Sequence, residues 1–252
     1  MKWMWPIWQE PFNVFMGAWK GIGGFLYSQI FGFINAKSWN ILWPALGETL
    51  YMILLTTLIS YLIGMALGVL LVVTRRNGIR PLPTFNAILG AIINFLRSIP
   101  FVILLATLLD TTFYITGKMT GTVPILFPLI ISAFPYVARM VEGSLLEVDG
   151  GVIEAAKAMG STTWQIIWKV MLPEAKPSLI NGAAISMTTI LGYTTMASVV
   201  SGGGLGAQGV IYGLNQRKYD IMYAAAIMLV VLVQIITVTG TILSRKHDHR
   251  LR

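Results

Sequence analysis

The sequence predicts an all-α, polytopic membrane protein with five core transmembrane helices. Three observations lead there. Only 11% of the 252 residues are charged, against 56% apolar, whereas soluble domains carry about 25% charge. Uncharged stretches of spanning length recur along the chain. Lysine and arginine are divided unevenly between the segments joining those stretches. So few charges cannot cover a water-facing surface, which excludes a soluble enzyme of ordinary build.

A bilayer core takes about 20 apolar residues of helix. Residues 49–73 and 221–243 each supply one uncharged run. Residues 177–216 are uncharged for 40 residues, too many for one crossing, so a helix over 178–200 is expected, followed by a glycine-rich re-entrant or external loop. The run at 119–138 holds Pro124, Pro128 and Pro135. The fifth is interrupted, 84–96 and 98–109 flanking Arg97, and reads as one helix bent at Pro100.

Charge orients the spans. Segments 74–83, 139–177 and 244–252 hold eleven of the 18 basic residues, and the opposite loops hold three, Lys118, Arg217 and Lys218. Basic loops stay in the cytoplasm, which puts the C-terminus inside. The net charge of +8 follows from this bias without a nucleic-acid partner. The absence of cysteine excludes disulfides, thiolate catalysis and Cys-zinc sites.

Residues 1–44 form an aromatic extension. It reads either as an interfacial segment on the outer leaflet or as a sixth span over 12–36 that carries Lys20. A removable signal peptide is not expected, since there is no cleavage-like site. Residues 45–244 make the membrane domain and 245–252 a basic tail, in which His247, Asp248 and His249 read as solvated rather than as a metal site. The five spans do not divide into similar halves. Because a transport path usually runs between related halves, a two-fold pair of identical chains is expected.

The longest inner loop, 139–177, carries the functional signal over 148–177. Asp149 can cap a helix over 152–159, Gly160 can stop it, and Ser161 or Thr162 can cap a second helix over 163–171. That helix would carry Trp164, Ile167, Trp168 and Met171 on one stripe and end at Pro173. Such a knob is a docking surface for another protein or a loop packed under the membrane.

Glu154-Ala155-Ala156, Gly160, Val170 and Leu172-Pro173, at their spacing before the penultimate span, resemble the EAA loop of ABC importer permeases. The segments 94–105, 135–148, 152–181, 190–196 and 202–206 narrow the likeness to the methionine-importer permeases. The resemblance covers about 46–243 and leaves the extension uncovered. It implies a type I importer permease fold with five spans and a homodimer in the bacterial cytoplasmic membrane. It also implies two cytoplasmic ABC ATPase subunits, an external substrate-binding protein, and methionine or a related amino acid as substrate. Glu154, Ala155, Ala156, Met159 and Gly160 would form the ATPase contact. The chain itself would bind no cofactor; ATP and magnesium would sit on the ATPase.

Arg97 reads as a structural arginine near the inner end of its helix, snorkelling or bonding to loop carbonyls, or as a gate or substrate-carboxylate contact. The first is favoured by a position towards the cytoplasmic half. The fourth span is rich in small and hydroxylated residues. It reads as the dimer seam, with Thr188, Thr189, Tyr193, Thr194, Met196 and Ser198, and Ser98 from the interrupted span, candidates for the translocation path. Gly64-x-x-x-Gly68 reads as helix packing, and the glycines at 202–206 as a turn. No G-x-x-x-x-G-K-[ST] occurs, so ATP hydrolysis must come from a partner. An ion-coupled carrier would need a carboxylate or histidine at membrane depth, and the five runs lack one. A membrane-embedded enzyme would need paired carboxylates, a histidine cluster or a Ser/His pair, and two tail histidines do not supply it.

Overall fold

The uncharged run at 49–73 is the inner part of one long helix, α1 (Ala36–Thr74). The computed structural model describes residues 36–200 and 202–248. Both readings of the extension therefore fall largely outside the described residues. Its last residues belong to α1, which passes position 44 without a break and accommodates Pro44. At 1.5 Å per residue α1 is about 58 Å long, so it either projects beyond a hydrocarbon core of about 30 Å or tilts.

After a basic turn, α2 (Pro83–Ser98) opens on proline, which suits the first helical turn because its missing N–H has no partner there anyway. Ile99, preceding Pro100, is extended (ψ 121°), as the proline ring demands of its neighbour. The chain therefore breaks rather than bends. α3 (Phe101–Thr107) leaves at 95° to α2, in place of the single bent helix expected from the sequence. α4 (Leu109–Thr116) follows and stops at Gly117 in the left-handed region (φ 71°).

α5 (Thr122–Leu146) carries Pro128 and Pro135 inside it and extends the expected 119–138 span inward. It is the most buried of the long apolar helices, with 56% of its apolar window covered. α1 crosses it where Gly64 and Gly68 remove side-chain bulk. A Cβ on Gly64 or Gly68 would lie 2.6 Å from Val137 Cγ1 or Val141 Cγ1. The small-residue motif therefore serves close packing within one chain.

The inner loop forms α6 (Gly150–Ala158) and α7 (Thr163–Ile166), then a π-helical turn (Ile167–Met171) and a last turn, Leu172–Glu174. α8 (Lys176–Met196) continues into a 3-10 turn, Ala197–Val200. The glycine-rich stretch expected as a loop instead forms α9 (Gly204–Val210) and a π-helical turn, Ile211–Asn215. The signal that orders it lies far away in sequence. Glu48 Oε2 accepts from the Gly204 N–H (2.6 Å), and Thr49 Oγ1 from the Leu205 N–H (2.8 Å). Side chains of α1 thus cap a helix whose own sequence offers no cap.

α10 (Tyr219–His247) lies at the rim, with 22% of its apolar window covered, and holds α8 through Gly240 against Ala184. It runs three residues into the expected tail, placing Arg245, Lys246 and His247 in its last turn, where cations suit the negative helix end. Among the described residues four helices are long and apolar enough to cross a membrane, or five if the broken α2–α3 pair counts as one crossing.

Candidate functional site

The inner loop builds a rigid knob from local signals. Asp149 Oδ1 accepts from the Gly151 N–H at 2.6 Å and caps α6. Past Met159, Gly160 takes φ 78°. The Ser161 N–H then reaches the Ala156 carbonyl (3.1 Å) and the Gly160 N–H the Lys157 carbonyl (2.9 Å), the paired bonds of a Schellman stop. Thr162 starts α7 with a reciprocal capping box: its hydroxyl accepts from the Gln165 N–H (3.3 Å), and Gln165 Oε1 from the Thr162 N–H (2.8 Å). Every turn of the knob satisfies its own backbone, so its outer surface is free for contacts.

The expected single stripe on the second helix divides in two. Ile166, Ile167 and Met171 are buried with Val72, Val73, Val141, Leu145 and Ala156, anchoring the knob to the inner ends of α1 and α5. Trp164 and Trp168 face outward, rings 5.4 Å apart, and with α1 residues from Leu58 to Val73 line an apolar groove of about 790 Å³. The π-helical turn accounts for the division, because one extra residue per turn rotates the following face. Pro173 does not end the helix; it starts the next turn, where a proline costs no hydrogen bond.

Of the five expected ATPase contacts, Glu154, Ala155, Met159 and Gly160 are exposed, and Met159 is 79% exposed. Ala156 is not, at 3%; its methyl group packs in the cluster that holds Val141, Leu145 and Ile166. Glu154 makes no ion pair or hydrogen bond with any described residue, which leaves a carboxylate available at the tip.

The expected path residues separate in the same way. Thr194 and Ser198 are buried inside the chain. The hydroxyls of Ser98, Thr188, Thr189 and Thr194 donate to carbonyls of their own helices, Asn94, Ile185, Ile185 and Leu191. Met196 is half exposed. Tyr193 stacks on Phe101 (centroids 4.9 Å apart, planes 13°) and enters a recess of about 130 Å³ lined by Leu96, Arg97, Ile99, Ser132, Tyr136 and Tyr193. Ser132 and Tyr136 were not among the sequence candidates. Their spacing of four, a polar stripe on an otherwise apolar span, is the signal that marks them.

Arg97 is not near the inner end of its helix. It lies in the last turn of α2, about 21 Å along the axis from Pro83. It bonds to no carbonyl among the described residues. Arg139, expected in the inner loop, instead lies within α5. Its Nη1 meets Glu142 Oε2 at 2.6 Å, and its Nη2 donates to the Gly90 carbonyl at 2.9 Å. Glu142, beyond the expected 119–138 run, is thus a carboxylate inside a long helix, and it is committed to an ion pair. In the tail, His247 Nδ1 lies 2.9 Å from the Leu243 carbonyl. His249 is outside the described residues.

Several apolar crossings, the broken α2–α3 pair and a capped helical knob on one face define a multi-pass membrane protein of the transport class. The chain belongs to the family of binding-protein-dependent transport system inner membrane components, whose family model matches residues 64–252. It is similar to the probable D-methionine transport system permease protein MetI of Vibrio cholerae (42% identity over 84% of this chain and 94% of that one). It is also similar to the methionine import system permease protein MetP of Bacillus subtilis (38% identity, 83% and 94%). Among solved structures it superposes on a chain of the inward-facing MetNI methionine ABC transporter with a TM-score of 0.84, at 38% identity, covering 86% of this chain and all of that one. The fold is that of a type I ABC importer permease.

Proposed function

We propose that this chain is the permease subunit of an ATP-driven importer for methionine or a closely related amino acid. It works as a homodimer in a bacterial cytoplasmic membrane with its C-terminus inside. Two separate ABC ATPase subunits, which hold ATP and magnesium, supply the energy, and an external binding protein delivers the substrate. The observation that carries this reading is the knob. Glu154, Ala155, Met159 and Gly160 form an exposed, self-capped surface, and the opposite side of the same helices is built into the inner ends of α1 and α5. Force applied at the tip therefore reaches the spans directly, because a close-packed core transmits displacement rather than absorbing it.

The substrate class rests on the named relatives, whose names specify methionine or D-methionine. Ion coupling is disfavoured by Glu142, whose carboxylate is committed to Arg139. Proteoliposomes containing this chain, its ATPase and its binding protein test the reading. Labelled methionine should accumulate only with internal or external ATP presented to the ATPase, and only with the binding protein present. Accumulation driven by an ion gradient without ATP would contradict it.

A further inference from the structure

We propose that Arg97 is the carboxylate-receiving group of a substrate subsite inside the membrane path, in the recess it shares with Ser132, Tyr136 and Tyr193. The proposal rests on the reading of this chain as an amino-acid permease and adds the group that meets the amino acid.

The two arginines within the membrane helices differ in one respect. Arg139 is neutralised within the chain by Glu142 and the Gly90 carbonyl. Arg97 has no hydrogen-bond or ion-pair partner among the described residues. A guanidinium at membrane depth is costly unless it faces water or an anion. Arg97 is exposed on this chain, and the recess it lines gives that charge a polar surrounding. Its other polar side chains are hydroxyls, from Ser132, Tyr136 and Tyr193, and no carboxylate lines it. The charge is therefore left for a ligand, and the planar fork of arginine matches a carboxylate with two parallel N–H donors.

The backbone adds a second observation. α2 ends at Ser98 and the chain departs at 95° after Pro100, leaving the last carbonyls of α2 without helical partners beside Arg97. Interrupted membrane helices place such ends at substrate sites. The negative end of the helix favours an ammonium group, so one zwitterion can meet the guanidinium and the carbonyls together. At about 130 Å³ the recess is smaller than a whole-ligand pocket. It takes the α-carboxylate and α-carbon and leaves the side chain in the open path. The Phe101–Tyr193 stack holds one wall in place.

The sequence has no cysteine, so Arg97→Cys introduces one thiol per permease subunit into a complex assembled with cysteine-free partner subunits. Methionine uptake per assembled complex is expected to fall about tenfold or more. An aminoethyl methanethiosulfonate adduct, which returns a positive charge, should restore uptake, and a sulfonatoethyl adduct should not. Wild-type uptake in the unmodified variant, or the same effect from both reagents, overturns the proposal. Should that variant fail to assemble, Ser132→Asp sets a fixed carboxylate in the recess beside the native guanidinium. Uptake is then expected to fall by a similar factor, and wild-type uptake overturns the proposal. If the wild-type complex takes up no methionine, the substrate reading fails separately. The same comparison is then made on whichever compound the complex does transport, and a transported compound lacking a carboxylate overturns the role of Arg97.

Discussion

At Gly160 one backbone angle decides where the knob turns. Its φ of 78° lies in the left-handed region, which a side chain disfavours by about 1–2 kcal/mol. A Cβ there would meet nothing within 4 Å, so the cost is conformational and not steric. Gly160→Ala should lower the unfolding free energy of the purified permease by about 1–2 kcal/mol while leaving it inserted and folded, as read by denaturant titration of its tryptophan fluorescence. Asp149, Gly160 and Thr162 could be read from the sequence because each acts on backbone within a few residues. Arg97 could not be placed, because its depth depends on how sharply the chain turns at Pro100, and a proline announces a break without its angle. Glu48 and Thr49 went unread for a different reason: they cap Gly204 and Leu205 from 156 residues away, beyond any local pattern.

Among the elements, the second half of the knob diverges most from its sequence pattern. A regular helical period puts Trp164, Ile167, Trp168 and Met171 together, but the π-helical turn at Ile167–Met171 separates the tryptophans from the buried pair. Core burial then falls to Ile166, Ile167 and Met171, which tie the knob to Val72, Val73, Val141 and Leu145. Ile166 is 1% exposed, so Ile166→Ala leaves a cavity and should destabilise the fold by about 2–5 kcal/mol. Trp164→Ala removes an outward side chain, and its effect on thermal unfolding should be smaller than that of Ile166→Ala. Equal shifts for the two would mean that the knob is not anchored through this face. The spans themselves were readable because 20 or more uncharged residues have few other uses. α9 was not, since glycine is a weak helix former and the chain orders it through caps from α1 and packing of Leu205 against α1 and α10, all distant in sequence.

In the whole molecule, one face of α8 and of the 3-10 turn that continues it is uncovered among the described residues. Ile185 and Met196 of α8 and Val199 of the turn after it are 42%, 49% and 69% exposed, whereas other faces of α8 pack on α1, α5 and α10. A two-fold partner would cover that face. Cysteine placed at position 185, 196 or 199 of the cysteine-free chain should yield disulfide-linked dimers in membranes for at least one position. If none cross-links while all three react with lipid-soluble thiol reagents, α8 faces lipid and the homodimer seam lies elsewhere.

Transmission of force through the exposed side of α6 is tested most directly at Ala155, whose methyl group is exposed. Ala155→Trp enlarges that surface without entering the core. In proteoliposomes containing the ATPase and binding protein, ATP-driven methionine uptake should fall about tenfold or more, the loss expected when a well-packed contact is disrupted by roughly 1.4 kcal/mol or more. The thermal stability of the isolated permease should not change. Uptake at the wild-type rate with unchanged ATP dependence would contradict a drive that enters through this helix.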